Sequence, residues 1–351
     1  MHENRSNGTV IVGRPGGGKS FCMLNMAANC LEAGCNVFVL DAKNDMLPLK
    51  NLFPDLGVTD VNNIAPGSLD PFLVFEDVDA TIILTIVEML CGELDSTQKL
   101  AITPIISDFV SRIRHGEQNT TFKAFADYLY SNDKVEAQTI GNQLLLNAES
   151  AYGPLIFGET GKVSRGLKLT SPSRIISIFG MALPSGSNIP KPDELLNAAI
   201  VYIICRMIED LLKKKKNKIP TVLMLDECHM LMRSSAIEDV IDEFLVLGRS
   251  LNVAVVMASQ NVTHFRQDMA QQIATKFAFQ LSKRESEEFF QLFDTSSSDK
   301  QLDLANSIDL VARLSTGYCF IIDSSGRAGV VHIDSNYGSD FSSNPLMKKA
   351  R

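Results

Sequence analysis

The sequence has no Cys-x-x-Cys pair and no cluster of cysteine with histidine, although it contains seven cysteines. These cysteines are odd in number and scattered through apolar stretches, so the sequence indicates neither a disulfide framework nor a zinc site. We interpret them as reduced thiols of a cytosolic protein. The N-terminal stretch "MHENRSNG" also lacks the apolar segment of a signal peptide.

The sequence also has no uninterrupted apolar run of the length that a membrane-spanning helix needs. The most apolar helical stretch, "LLNAAIVYIICRMIEDLL", is broken by Arg206, Glu209 and Asp210. We therefore predict a buried helix rather than a membrane span.

Positive charge is not in excess, because the formal net charge is −8. This balance argues against a surface that binds nucleic acid by bulk electrostatics, although a local basic channel is compatible with it. The lysine run "LLKKKKNK" at 211–218 covers every face of a helix end. We favour a solvated helix end that complements the helix dipole, and a pore or partner contact is the alternative.

The 351 residues alternate apolar runs with segments of helical spacing. Helices are predicted at about 19–33, 193–216 and 236–249. Most of the apolar runs are continuous in Val, Ile and Leu, as in strands that are covered on both faces. The predicted strands are 8–12, 36–41, 174–181, 221–226, 253–259, 277–282, 318–323 and 328–334. This alternation predicts an α/β fold with a mostly parallel central sheet.

Residues 73–159 break the alternation, because only helical spacing is found there. We therefore predict a core in two parts, 1–72 and 160–336, with an all-α insertion domain over 73–159. A mobile polar tail is expected over 337–351. Because the first strand begins almost at once, we also expect the chain to be the C-terminal part of a longer protein.

The stretch "VGRPGGGKSF" contains the pattern G-x-x-x-x-G-K-[ST], formed by Gly13, Gly18, Lys19 and Ser20. It follows a predicted strand and opens a predicted helix, which is the context of a phosphate-binding loop. Its backbone amides would bind phosphate oxygens, Lys19 would reach the β- and γ-phosphates, and Ser20 would ligate Mg²⁺. The predicted nucleotide-binding residues are Arg14, Pro15, Gly16, Gly17, Gly18, Lys19, Ser20 and Phe21.

A pair of acids, Asp226 and Glu227, ends the apolar run "TVLML". At the carboxyl end of a strand, Asp226 would hold Mg²⁺ and Glu227 would act as general base on the attacking water. Adjacent carboxylates in these roles favour a hydrolase over a kinase. Gln260 ends another predicted strand, where it either senses the γ-phosphate or caps the next helix.

Together these motifs resemble the HerA–FtsK superfamily of RecA-like motors. Within it, the chain is most similar to the large VirB/TraC/TrbE-type ATPase of conjugative type IV secretion systems. The resemblance spans essentially the whole chain. It is carried by the phosphate loop and by "VFVLDAKND", "LDPF", "LMLDECHMLM", "GRSLNVAVVMASQ" and "LSTGYCFIIDSSGRAGVVHID".

The resemblance implies a RecA-like P-loop NTPase that hydrolyses ATP with Mg²⁺ at the subunit interfaces of a ring, expected to be a hexamer. It also implies secretion-channel proteins as partners, and a cytoplasmic location at the inner face of the cell membrane. The family's N-terminal region, which docks to the membrane channel, has no counterpart in this sequence, so the membrane location is an analogy.

The resemblance assigns Arg249 as a finger that acts in trans on a neighbour's γ-phosphate, whereas from the residues alone a helix-dipole role is equally open. Arg327 is a second basic candidate near an interface, or part of a surface turn. Asp41 either orders the edge of the site or caps a turn.

Three functions remain open: an ATPase that energises secretion, a DNA-translocating motor like a coupling protein, and a nucleotide-regulated assembly scaffold with slow turnover.

Overall fold

The computed structural model describes most of the chain, and for Lys214 and Arg249 it describes the backbone only. The described residues are 7–75, 77–117, 120–159, 166–169, 171, 173–184, 190–214, 219–293, 304–334 and 337. The predicted tail at 337–351, apart from Tyr337, lies outside these residues. Residues 215–218, the second half of the stretch "LLKKKKNK", also lie outside the described residues.

A nine-stranded sheet forms the centre of the molecule, with the strand order β3-β4-β2-β5-β6-β1-β7-β8-β9. The strands are β1 (Gly8–Val12), β2 (Asn36–Asp41), β3 (Gly57–Asp60), β4 (Arg174–Ser177), β5 (Thr221–Leu225), β6 (Val253–Ser259), β7 (Ile273–Ala278), β8 (Tyr318–Ile322) and β9 (Ala328–His332). The pairings from β3 to β7 are parallel, whereas β8 and β9 join antiparallel. The predicted α/β class with a mostly parallel sheet is confirmed.

Three strands differ clearly from the sequence prediction. The strand predicted at 174–181 is shorter, because β4 ends at Ser177. The edge strand β3 was not predicted, because it is only four residues long and half polar. The strand predicted at 277–282 begins earlier, at Ile273. Pairing next to β1 nevertheless continues beyond it, since Phe279 N donates to Val12 O at 2.8 Å.

Helices cover both faces of the sheet. They are α1 (Lys19–Glu32), α2 (Leu49–Leu52), α3 (Pro71–Val74), α4 (Ala80–Cys91), α5 (Ser96–Arg114), α6 (Phe122–Tyr130), α7 (Val135–Ala148), α8 (Gly153–Ile156), α9 (Pro192–Lys214), α10 (Cys228–Leu231), α11 (Ser235–Leu251), α12 (Gln267–Gln271), α13 (Lys283–Phe293) and α14 (Leu304–Ala312). Short 3₁₀ helices lie at Val61–Asn63 and Val262–His264. Among the described helices, none combines the length and the apolarity that crossing a membrane requires.

Between β3 and β4 the regular structure of the described residues is helical, running from α3 to α8. The helices α4 and α7 pack against α9 of the sheet layer. Ile83 and Ile86 of α4 belong to the same hydrophobic cluster as Ile203 of α9. The helices of the predicted insertion thus share their apolar core with one face of the sheet.

A buried carboxylate marks the start of this helical region. Asp70 accepts hydrogen bonds from the backbone amides of Phe72 at 2.9 Å and of Phe122 at 2.8 Å. It therefore caps α3 and fastens the first turn of α6 to it. Because the side chain is fully buried, its pKa rises to about 8.

Candidate active site

The phosphate loop connects β1 to α1 at the carboxyl end of a central strand. Gly13 directly follows β1, and a Cβ at this position would lie 2.6 Å from the Cβ of Phe279, so only glycine fits. Gly18 precedes α1 with a φ of 117°, a conformation that glycine adopts without strain. As a result α1 begins at Lys19, and its first amides are available to an anion at the loop.

Lys19 is buried under the loop that it follows. Its Nζ donates to Gly13 O at 2.7 Å and to Arg14 O at 3.1 Å. Burial lowers the pKa of Lys19, and the charges of Glu227 and Asp226 act on it in the opposite direction. The loop lysine and the two predicted acids therefore lie within electrostatic reach of one another.

The acid pair follows β5 at the same edge of the sheet. Asp226 continues the pairing with β2, because its amide donates to Leu40 O at 3.0 Å. Glu227 adopts the left-handed conformation, with φ of 50° and ψ of 44°, at the start of α10. A non-glycine residue in this region is uncommon and is held there by its surroundings.

The Glu227 carboxylate contacts three side chains. Its Oε1 accepts a hydrogen bond from Gln260 Nε2 at 2.7 Å and forms an ion pair with Lys43, while its Oε2 lies 3.1 Å from His229 Nδ1. Burial acts to raise the pKa of Glu227, but the contacts with His229, Lys43 and Gln260 outweigh it and lower the value to about 2. Glu227 is therefore ionised at neutral pH.

The loop after β2 is ordered by Asp41, which accepts hydrogen bonds from the amides of Lys43, Asp45 and Met46 at 3.1, 3.2 and 2.9 Å. Asp41 thus caps this turn, and the capped turn positions the side chains of Lys43 and Asp45 at the site. Lys43 faces Glu227, and Asp45 Oδ2 accepts a hydrogen bond from Ser20 Oγ at 2.8 Å.

The charges at this site favour a divalent cation. Burial raises the pKa of Asp226 to about 7, and the charges of Glu227, Asp41 and Asp45 add to the shift. Asp226 Oδ2 is buried and accepts no hydrogen bond from the described residues. A Mg²⁺ ion suits this donor set of carboxylates and the Ser20 hydroxyl, because it would satisfy that oxygen and restore the ionised acid.

The structure brings five of the predicted side chains together at one edge of the sheet, and they belong to the loop, the acid pair and the end of β6. They are Lys19, Ser20, Asp226, Glu227 and Gln260. Neither of the two predicted arginines, Arg327 and Arg249, is seen in contact with these side chains. Arg327 is 86% exposed in the β8–β9 turn, where it pairs with Asp323 at 2.7 Å. Arg249 lies in the last turn of α11, which extends two residues beyond the predicted end, and its side chain is outside the described part of the chain.

Lys43, Asp45 and His229 are site residues that the sequence reasoning did not single out. His229 stacks on His264, with ring centroids 4.7 Å apart, and Ser259 Oγ lies 3.1 Å from His264 Nδ1. The only sequence signal for them was their position just after Asp41 or Glu227, because their contacts depend on the packing of β2, β5 and β6 side by side.

Comparison with known proteins identifies the class of protein. The model of the AAA-like domain family matches residues 2–341. By fold, the chain is similar to VirB4 of Thermoanaerobacter pseudethanolicus, at 16% identity and a TM-score of 0.75, covering 95% of this chain and 91% of that one. It is also similar to the plasmid coupling protein TrwB in complex with ADP and Mg²⁺, at 14% identity and a TM-score of 0.59, covering 93% and 85%. No curated protein matches the chain by sequence.

The chain belongs to the AAA-like domain family. Its fold is that of the RecA-like P-loop NTPases, as predicted from the phosphate loop and the strand pattern.

Proposed function

We propose that the protein is a Mg²⁺-dependent ATPase motor that energises assembly of, or substrate transfer through, a conjugative type IV secretion system. One observation carries the ATPase part of this proposal. The phosphate-loop lysine and the ionised Glu227 interact electrostatically at one edge of the sheet, and the neighbouring Asp226 has a buried oxygen with no partner among the described residues. The likeness to VirB4 and to the conjugative coupling protein TrwB supports the secretion part.

In the proposed reaction the loop amides and Lys19 bind the phosphates, and Glu227 accepts a proton from the attacking water. Ser20 and Asp226 would hold Mg²⁺, which when bound neutralises charge on the phosphates. Gln260 donates a hydrogen bond to the Glu227 carboxylate, and in this proposal it senses the γ-phosphate or the attacking water. The ionised state of Glu227 at neutral pH suits an acceptor of protons.

Two experiments with matched variants test hydrolysis. Glu227→Gln keeps the shape of the side chain but removes the base, so we expect turnover to fall about 10²- to 10⁴-fold while ATP still binds. Lys19→Ala is the contrasting variant, and it should lose ATP binding itself. Normal turnover in the Glu227→Gln protein would show that another group is the base.

The proposal includes self-association into a ring, expected to be a hexamer, in which Arg249 completes a neighbour's site. It also includes contacts with other secretion-channel proteins at the inner face of the cell membrane. The ring rests on the resemblance of the sequence motifs to the RecA-like motor superfamily, which implies hydrolysis at subunit interfaces. The specific test is the ATPase rate per subunit against protein concentration, which should rise as the ring assembles.

A DNA-translocating motor is the rival function. Measuring the ATPase rate with and without single-stranded DNA distinguishes it from the secretion ATPase. The net charge of −8 favours the secretion ATPase, whereas the likeness to TrwB keeps the rival in view. We expect turnover to be independent of single-stranded DNA. A rate that DNA stimulates, with binding that weakens steeply as salt rises, would instead support the coupling-protein function.

A further inference from the structure

The phosphate loop has different neighbours on its two sides within the sheet. On one side are β6 and β5, whose ends carry Gln260, Asp226 and Glu227, and on the other side are β7, β8 and β9. If the γ-phosphate faces the acids, as the proposed function requires, the nucleoside end of the ligand extends toward β7, β8 and β9. The following inference therefore rests on that function.

Backbone hydrogen bonds fasten the far strands to the phosphate loop. Gly317, directly before β8, donates from its amide to Gly17 O at 3.3 Å. Directly after β9, Ile333 N donates to Gly317 O at 2.9 Å. A Cβ on Gly18 would lie only 3.6 Å from Gly317 N. The first residue of β8 and the last residue of β9 are thus held beside the loop glycines.

Those two residues carry rings. Tyr318 opens β8 and His332 closes β9, and they are direct partners in the antiparallel register. Their ring centroids are 4.6 Å apart with an interplanar angle of 50°. His332 Nδ1 also lies 2.8 Å from Asp334 Oδ1, which fixes the orientation of the imidazole.

Both rings remain accessible although they contact each other. Tyr318 is 43% exposed, and the His332 side chain is 45% exposed. In contrast, the next two side chains of β8, Cys319 and Phe320, are buried in the core. A preformed pair of rings with free surface, next to a phosphate site, suits a third flat ring that stacks on it.

We propose that Tyr318 and His332 form the nucleobase subsite of this protein, where the purine ring of a bound nucleoside triphosphate stacks while the phosphate loop holds its phosphates. Recognition through the face of the base needs no hydrogen-bond pattern on its edge, and every base has such a face.

Calorimetric titration with Mg²⁺ and either ATP or inorganic tripolyphosphate separates the two halves of the site. Tyr318→Ala should lower the affinity for ATP about 5- to 150-fold, as base–aromatic stacking does elsewhere, and leave the affinity for tripolyphosphate unchanged. Tyr318→Phe keeps the ring and should bind ATP like the original protein. His332→Ala gives a second, independent variant with the same expected split between the two ligands.

Lys19→Ala distinguishes this inference from the proposed function, because it should weaken both ligands alike. If Lys19→Ala has no effect, or the unaltered protein binds neither ligand, the proposed ATPase function fails and the subsite with it. If ATP binds through Lys19 but Tyr318→Ala and His332→Ala leave its affinity unchanged, or weaken tripolyphosphate equally, only the nucleobase subsite is overturned.

Discussion

Asp226→Asn should stabilise the metal-free protein although it removes a proposed Mg²⁺ ligand. Burial, followed by the charges of Glu227, Asp41 and Asp45, raises the pKa of Asp226 from 3.8 to about 7. The folded protein therefore holds this proton more tightly than the unfolded chain does. The contribution of Asp226 to stability is therefore fully present below about pH 4, and it is lost as pH rises through about 7.

The magnitude follows from the size of the shift. A shift of about 3 units, at 1.36 kcal/mol per unit, gives about 4 kcal/mol that ionisation of Asp226 costs the folded state above pH 7. Asparagine does not ionise, so the variant should be more stable by up to about 4 kcal/mol at pH 8 and by little at pH 4. For 351 residues, at about 2.1 cal/mol/K each, this gain corresponds to a rise in Tm of about 5 °C.

Thermal unfolding in EDTA between pH 4 and pH 8 measures the effect, and Glu227→Gln is the matched control. Contacts with His229, Lys43 and Gln260 overcome burial and hold the pKa of Glu227 at about 2. This group therefore stabilises the protein above about pH 4.5, and Glu227→Gln should cost up to about 3 kcal/mol at pH 8. Two results would refute the electrostatic account of the acid pair. One is an Asp226→Asn protein whose Tm at pH 8 is not above that of the original protein. The other is a difference in Tm between the two proteins that is the same at every pH.

Two further predictions concern the ring and the helical region. Arg249→Ala should lower turnover only in the assembled protein. Mixing this variant with Lys19→Ala should restore part of the activity, because the two defects lie on opposite sides of an interface. If no mixture recovers activity, Arg249 does not act in trans. Asp70→Ala leaves the buried amides of Phe72 and Phe122 without their acceptor and should cost about 2–6 kcal/mol in denaturant unfolding. The matched exposed cap Asp79→Ala should cost only about 1 kcal/mol, and equal costs would contradict the role assigned to burial.

The sequence predicted those parts of the fold that local patterns determine. Continuous apolar runs identified the buried central strands, because parallel strands covered on both faces need apolar side chains at every position. The edge strand β3 was not predicted in this way, because "GVTD" is only four residues long and half of it is polar. Its pairing depends on β4, which follows more than a hundred residues later in the chain.

The residues of the candidate site also fall into those that a local pattern predicts and those that only the fold brings together. Lys19 and Ser20 were identified because the phosphate-loop pattern fixes their spacing within one turn. The ion pair of Lys43 with Glu227 and the hydrogen bond from Ser20 to Asp45 join residues from separate strands. No local pattern predicts these contacts, because they exist only when the ends of β1, β2 and β5 lie at the same edge of the sheet.

Burial is the leading cause of the two opposite pKa shifts at Lys19 and Asp226. In the absence of ligands it disfavours the charged form of both groups, so the ammonium and the carboxylate are each less stable here than in water. A triphosphate favours the charged Lys19, and a divalent cation favours the charged Asp226. Lys19 and Asp226 lie within electrostatic reach of each other, so the triphosphate and the cation bind close together. The charge of each ligand therefore attracts the other. Nucleotide and metal should therefore bind this site cooperatively, as a single complex rather than one after the other.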